Sequence, residues 1–408
     1  MSDNKTLSYG DLVVTLTSAF TPRWNDSGSG ANRDGAFWHP TSQANNTLRP
    51  LGSVAVPHHN PLPNNHAVLL VGDNPAQRAK GIYDPAVASP VDYTLLWTDA
   101  GSGADADGSF WRPVPPAGYI SLGDVAGVGR AKPRVDEVWC VRADLVSDGV
   151  YPEGSVWDDG GSGADADGSF WEVVPRPGGG AGEYVPVVAG TFRFTGGYAK
   201  PEGALAKVPA LFVPRQKGAG VVGRPPVLTA EDEVPDVGQT SELAVQSAVT
   251  LPFTSFFDAT DRQGLGNIRD PFCTVTKKVG WVVLEKFPNY QETVYTQTQS
   301  VTTGVRKTKS ESTSHSAGVT ISSEIGYGLS KWSVSLNYQF SFSQTSSIEE
   351  VQERTMSKTI TVAPHTVAIA WGKKIVIQGV RSDGTRIEGE VSFNASEEVA
   401  VTDVPVKA

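Results

Sequence analysis

Between Ala317 and Ser347 the apolar positions alternate with small polar ones. Val319, Ile321, Ile325, Tyr327 and Leu329 share one parity, and Trp332, Val334, Leu336, Tyr338, Phe340 and Phe342 share the other, with the phase change near Gly328 to Lys331. Side chains alternate across a strand, so the pattern predicts an amphipathic β-hairpin. Its polar face carries Thr320, Ser322 and Glu324 on the first arm and Ser333, Ser335, Asn337, Gln339 and Ser341 on the second. Each arm runs for about ten residues, the length that a tilted strand needs to cross a bilayer's hydrocarbon core. Only Glu324 is charged within the arms, whereas water-facing strands usually carry more Lys and Glu. An ordinary hairpin packing one face on a core is the competing reading.

Long Ser- and Thr-rich strands flank this hairpin. Upstream, TVTKKVGWVVLEKFPNYQETVYTQTQSVTTGV predicts two strands with a turn at Phe287 to Asn289 and a buried run from Trp281 to Leu284. Downstream, TMSKTITVAPHTVAIAWGKKIVIQGV resumes as strand, turns at Ser382 to Gly384 and ends in a strand near Glu388 to Phe393. Earlier, residues 216–246 are poor in aromatics and rich in Gly, Pro and acidic residues, which marks a linker or an irregular crossing. Two modules follow, 1–215 and 247–408. Gln216 to Glu233 and the tail past Val399 are candidate cleavage sites, with a solvated loop as the alternative for each.

The first module is repetitive. WNDSGSGANRDGAFW starts at Trp24, WTDAGSGADADGSFW at Trp97 and WDDGGSGADADGSFW at Trp157. A strand-like run precedes each copy and a proline-bearing run follows it. Three copies, none large enough to fold alone, predict one pseudo-threefold β domain. The units are longer than those of a β-trefoil, which favours a β-prism in which each repeat supplies a sheet.

Totals narrow the class further. In 408 residues, 43 Gly and 28 Pro fit a turn-rich all-β chain. The net charge of −10 argues against nucleic acid as a partner. Cys140 and Cys273 lie far apart in sequence, so no disulfide framework is expected. There is no apolar run long enough for a transmembrane helix, and no secretory signal is visible at the start.

The repeated turn offers Asp26 and Asp34, Asp99, Asp105 and Asp107, and Asp159, Asp165 and Asp167. Such carboxylates suit a sugar or Ca²⁺, though the spacing lacks the Glu at the twelfth position of an EF-hand. The alternative is structural: Asx-turns at Asp26, Asp99 and Asp159, glycines at positive φ, and Trp and Phe filling the prism axis. No metal is assigned and no cofactor is expected. The W…DxGSGA…DG…FW…P…GY…LG pattern resembles the vacuolar protein sorting-associated protein 62 family over roughly residues 5–215. Asn32 and Arg33 depart from it in the first copy, and the third copy lacks the GYxxLG tail.

Over residues 247–408 the layout resembles the aerolysin-type β-pore-forming toxins. That resemblance implies a monomer, secreted or released, that binds a cell-surface receptor or glycan, assembles into a ring with its own copies and unfolds the hairpin into a shared barrel in the target-cell membrane. The apolar row would then face lipid, the polar row would line the lumen, and Glu324 would bias it towards cations. The two resemblances together imply an insecticidal role. A non-lytic, lectin-like defence or storage protein is the alternative. No HExxH, GxSxG or GxxxxGK[ST] motif occurs, and no enzyme activity is expected.

Overall fold

A computed structural model of the chain describes residues 3–78, 84–176, 183–213, 223–303, 313–314, 320–321, 354–386 and 391–406. The fold is all-β with antiparallel strand pairs throughout, and short helices at Pro75–Arg78 and Arg262–Gly266. Two compact units form: Met1–Pro214 with Leu251–Phe272, and Arg215–Thr250 with Cys273–Ala408.

In the first unit every repeat builds one three-stranded sheet around its motif. These sheets are Phe20–Asn25, Ala36–Pro40 and Val54–Val56; Asp92–Thr98, Ser109–Val114 and Val125–Ala126; and Trp157–Asp158, Gly168–Glu172 and Phe192–Gly196. A second small sheet accompanies each of them. In the first repeat it is Leu7–Tyr9, Leu12–Thr17 and Val68–Asp73; in the second, Val87–Ala88, Tyr119–Ile120 and Cys140–Arg142. The third uses Val146–Val150, Val174–Pro175, Tyr184–Pro186 and Lys207–Phe212. Each repeat therefore supplies two sheets, where the sequence suggested one.

The repeat aromatics meet at a common axis. Phe37, Phe110 and Phe170 form a triangle with ring centroids 4.4, 4.4 and 4.7 Å apart. Trp24, Trp97 and Trp157 form a second, with centroid distances of 5.5, 5.8 and 6.2 Å. Mutual tilts of 59–62° within the phenylalanine triangle are the edge-to-face packing that aromatic quadrupoles favour. Each repeat thus sends one Trp and one Phe to the axis, and Phe192 and Phe194 pack beside them.

Leu251–Phe272 belongs to this unit although it lies beyond the boundary drawn from composition. Lys5 pairs with Asp270 at 2.6 Å, its N–H donates to the Arg269 carbonyl, and the Ala67 N–H donates to the Ala259 carbonyl. Phe253 and Phe256 are buried within the segment. Backbone bonds of this kind leave no mark on composition.

The second unit centres on a four-stranded sheet in the order Ala244–Pro252, Phe272–Asn289, Thr366–Arg381, Val391–Pro405. Both faces of its centre are buried, as strand periodicity allows. Phe287, Ala368, Ala370 and Val399 pack with Ile360 and Val362, whereas Trp281, Val283, Val367, Ile369 and Trp371 pack with Leu228 and Val234.

Three expectations change here. Residues 223–246 are not a free linker: Gly238 and Ser241 N–H groups donate to the Val283 and Trp281 carbonyls, and the sheet strand starts at Ala244. The turn expected at Phe287 to Asn289 is strand, in register with Ala368 to Thr366; the Asn289 side chain, bonded to the Thr293, Val362 and Ala363 carbonyls, moves the turn past it. Residues 399–405 are not a loose tail but pair with Gly372 back to Thr366. The strand pair Tyr295–Thr303 and Arg354–Val362 runs in unbroken register from Tyr295 opposite Val362 to Thr303 opposite Arg354.

Candidate functional site

The repeat loops are built from the inside outwards. The first Asp of each, Asp26, Asp99 or Asp159, is buried. Its carbonyl accepts the N–H of Ser29, Ser102 or Ser162 at 2.9 Å, and that serine's hydroxyl accepts the N–H two residues on. The Asp26 and Asp159 carboxylates also take the Gly35 and Gly168 N–H, at 2.9 and 2.8 Å. Between these bonds the chain must reverse twice, and Gly28, Gly101 and Gly161 take φ of 82°, 82° and 90°. A side chain there would be strained, and its Cβ would also strike the next loop. The nearest atom lies 2.4 Å away on Asp105, 2.5 Å away on Asp165 and 2.8 Å away on Asn32.

The loops interlock in a closed ring. The Asp105 N–H donates to the Ser27 carbonyl, Asp165 to Ala100, and Asn32 to Gly160, at 2.7, 2.8 and 2.8 Å. In the opposite sense, the indoles of Trp24, Trp97 and Trp157 donate to the carbonyls of Ala106, Ala166 and Arg33, at 2.8, 2.7 and 2.8 Å. Because backbone atoms make these links, Asn32 and Arg33 can replace Asp and Ala in the first copy without breaking the ring.

Among the sequence-named carboxylates, Asp26, Asp99 and Asp159 point inwards, while Asp34, Asp105, Asp107, Asp165 and Asp167 are exposed. The structure pairs the inner and outer ones through a third residue. Arg130 Nη2 lies 3.2 Å from both Asp99 Oδ1 and Asp107 Oδ1. The Tyr198 hydroxyl donates to Asp167 at 3.0 Å and also bonds Asp159. His59 Nε2 lies 2.6 Å from Asp26 Oδ1, with an Asp34 oxygen nearby. Burial lifts the Asp159 carboxyl above its ordinary range, against the Gly168 N–H and the Tyr198 hydroxyl, which hold it down. Desolvation of the Tyr198 hydroxyl, although the residue as a whole is exposed, and its bonds to Asp167 and Asp159 push it well up, so it remains a fixed proton donor.

Arg130, Tyr198 and His59 occupy one register position. Each stands three residues past the residue opposite the motif's Ser109, Ser169 or Ala36, namely Gly127, Thr195 and Val56. The sequence analysis named none of Arg130, Tyr198 and His59 as a site residue. What they share is strand register and not a fixed spacing: His59, Arg130 and Tyr198 stand 3, 4 and 2 residues past the strands that end at Val56, Ala126 and Gly196.

A family model described as vacuolar protein sorting-associated protein 62 matches residues 3–212. The chain belongs to that family. Among solved structures, GNIP1Aa from Chromobacterium piscinae is similar at 27% identity and a TM-score of 0.38, over 47% of this chain and 35% of that one. The match thus spans about a third of the GNIP1Aa chain. Cry35Ab1 is similar at 9% identity and a TM-score of 0.31, over 97% of this chain and 90% of that one. No curated protein matches. The region shared with the vacuolar protein sorting-associated protein 62 family holds all three loops and all three bridging residues, and ends before the second unit.

Of the hairpin positions, Thr320 and Ile321 are described, in a short pairing opposite Ser314 and Thr313. Val319, Ser322, Glu324, Ile325, Tyr327, Leu329, Trp332 to Gln339 and Phe340 to Phe342 lie outside the described residues.

Proposed function

We propose that the chain is a pore-forming toxin: the prism loops dock on a target-cell receptor or glycan, copies assemble into a ring, and residues 317–347 enter the membrane as a shared β-barrel. The observation that carries this reading is the strand pair at the root of that segment. Thr303 lies opposite Arg354, so everything between them leaves and returns at adjacent strand ends, as a β-hairpin requires. Along the pair, hydroxyls face each other at Thr296 and Thr361, Thr298 and Thr359, and Ser300 and Ser357, at 3.4, 3.0 and 3.5 Å. The small polar row of the hairpin sequence therefore begins in its root.

A lone hairpin cannot span a bilayer, because its edges leave backbone groups unpaired in lipid. A closed ring of copies removes every edge, with the Val319 to Phe342 apolar row against lipid and the Ser, Thr, Asn and Gln row against water. The protein acts at the target membrane after secretion or release, and an insecticidal target is the expected one.

Dye release from liposomes or midgut-type vesicles, run beside planar-bilayer conductance, tests the reading. Discrete current steps with dye loss are expected, together with an SDS-resistant oligomer. Phe340→Asp puts a charge on the lipid face and should abolish leakage while receptor binding persists. Silence in both assays, with protease-treated protein included, would overturn the proposal in favour of a lectin-like binding protein.

A further inference from the structure

We propose that Asp26, Asp34 and His59 bind one transition-metal cation of the zinc class in the first repeat. The three come from two segments, the repeat loop and the stretch after Val54–Val56, and one ligand atom from each lies within 4.8 Å of the others. Two carboxylate oxygens and one imidazole nitrogen suit Zn²⁺ or Co²⁺, with a fourth position left for water. A tetrahedral ion at about 2.0–2.2 Å from each donor holds the donors roughly 3.3–3.5 Å apart. His59 and Asp34 are exposed and can make that adjustment, the ion taking the place of the present His59–Asp26 hydrogen bond.

Asp26 is the anchor. Its Oδ1 accepts the Gly35 N–H at 2.9 Å and its Oδ2 accepts the Trp157 indole N–H at 3.1 Å. Outer hydrogen bonds of this kind orient a ligating carboxylate before the ion arrives.

The other two repeats supply an independent indication. In the second, a cation already sits between the equivalent carboxylates: the Arg130 guanidinium, 3.2 Å from each. In the third, a phenol donates to the outer carboxylate, Asp167. The guanidinium is a permanent cation that excludes a metal, and the phenol would have to lose its proton before it could ligate one. Only the first repeat closes its pair with a group that ligates a metal in its neutral form, and among the described residues no lysine or arginine is ion-paired to Asp26 or Asp34.

The test is a Co²⁺ titration of the full chain near neutral pH, followed by visible absorption, with Zn²⁺ as competitor. We expect one equivalent of Co²⁺ with tetrahedral bands, displaced by Zn²⁺ and weakened by acid as protons compete for imidazole. His59→Ala and Asp34→Asn should each lower affinity at least about tenfold, while Asp107→Asn and Asp167→Asn leave it unchanged. His59→Arg, which copies the second repeat, should abolish uptake while the thermal melt is retained. No uptake, uptake indifferent to His59→Ala and Asp34→Asn, or equal binding of Ca²⁺ independent of His59 would each overturn the site. None of these readouts involves membrane leakage, so the outcome stands apart from the pore proposal.

Discussion

The second and third repeats end their motif on tryptophans whose indoles are satisfied, and the first does not. Trp111 and Trp171 each donate to the serine two residues before them, Ser109 and Ser169, at 2.9 Å. In the first repeat that residue is Ala36, and the buried Trp38 Nε1 has no acceptor among the described residues. One position further on, His39 stands where the second repeat has Arg112. Arg112 forms a two-pronged pair with the buried Asp124, whereas His39 is packed neutral against Ser53 and the Glu137 carbonyl. Pseudo-symmetry is therefore held by the aromatic axis and the backbone ring. The polar side chains around them are free to diverge, and the first repeat has diverged furthest.

The sharpest break of that comparison is at the axis. Trp157 serves the first loop twice, through the Arg33 carbonyl and Asp26 Oδ2, whereas Trp97 serves the third loop through the Ala166 carbonyl. Trp157→Ala should cost about 3–5 kcal/mol of unfolding free energy, and more than Trp97→Ala, because it also leaves the buried Asp26 carboxylate short of a donor. Denaturant unfolding of both variants decides it. Equal losses would mean that the axis, not the loop bonds, carries the energy.

Acid should single out the first repeat. Burial and the nearby Arg23 guanidinium push the His39 imidazole down to about 3, against 6.5 in the unfolded chain. Between those values the unfolded chain binds a proton that the folded one refuses, so this contribution is complete above pH 6.5 and is lost as pH falls towards 3. Down to pH 3 the loss is on the order of 5 kcal/mol. His39→Gln, neutral at every pH, should flatten the fall in stability between pH 7 and pH 4. An unchanged slope would place the acid sensitivity elsewhere.

Much of the prism was legible because the signal repeats. Three Trp-to-Trp motifs with fixed Gly and Phe positions announce three copies of one turn and one axial aromatic pair. Asp26, Asp99 and Asp159 do turn inwards, but through their backbone carbonyls and not as the Asx-turns that the sequence offered; the Asx side chains of these loops that accept an N–H two residues on are Asn25 and Asp158. The bridging residues were not legible: they lie more than twenty residues past the first Asp of each loop and belong to three chemical types, His, Arg and Tyr. Strand register alone aligns them. Composition misled at residues 223–246, where Gly, Pro and acidic residues lie along the sheet instead of leaving it, because backbone donors do the pairing.

Glycine shape sharpens the comparison at a smaller scale. A Cβ on Gly35 would sit 2.4 Å from Trp157 Cδ1, and one on Gly108 would sit 2.6 Å from Trp24 Cδ1. Both indoles are buried and cannot yield, so Gly35→Ala and Gly108→Ala should each cost about 1–3 kcal/mol. At Gly154 nothing lies within 4 Å, and Gly154→Ala should stay within about 0.5 kcal/mol of the parent. Thermal melts of the three variants check this, and a neutral Gly35→Ala would show that the first loop can relax away from its neighbour.

The smallest effect has the opposite sign. Ser109 and Ser169 accept from their tryptophans and donate onward to the Gly129 and Gly197 carbonyls, at 2.6 and 2.7 Å. Ala36→Ser adds one oxygen in the first repeat, at the register position where the other two already hold one. It gives the buried Trp38 N–H an acceptor, and its own proton has the His58 carbonyl as the register equivalent of Gly129 and Gly197. A satisfied pair of this kind is worth about 1 kcal/mol. The variant should therefore melt slightly above the parent, while the same change run backwards, Ser109→Ala or Ser169→Ala, should lower stability by a similar amount. A destabilised Ala36→Ser would mean that the first repeat has closed the space its alanine left, and that its divergence is fixed in the backbone as well as in the side chains.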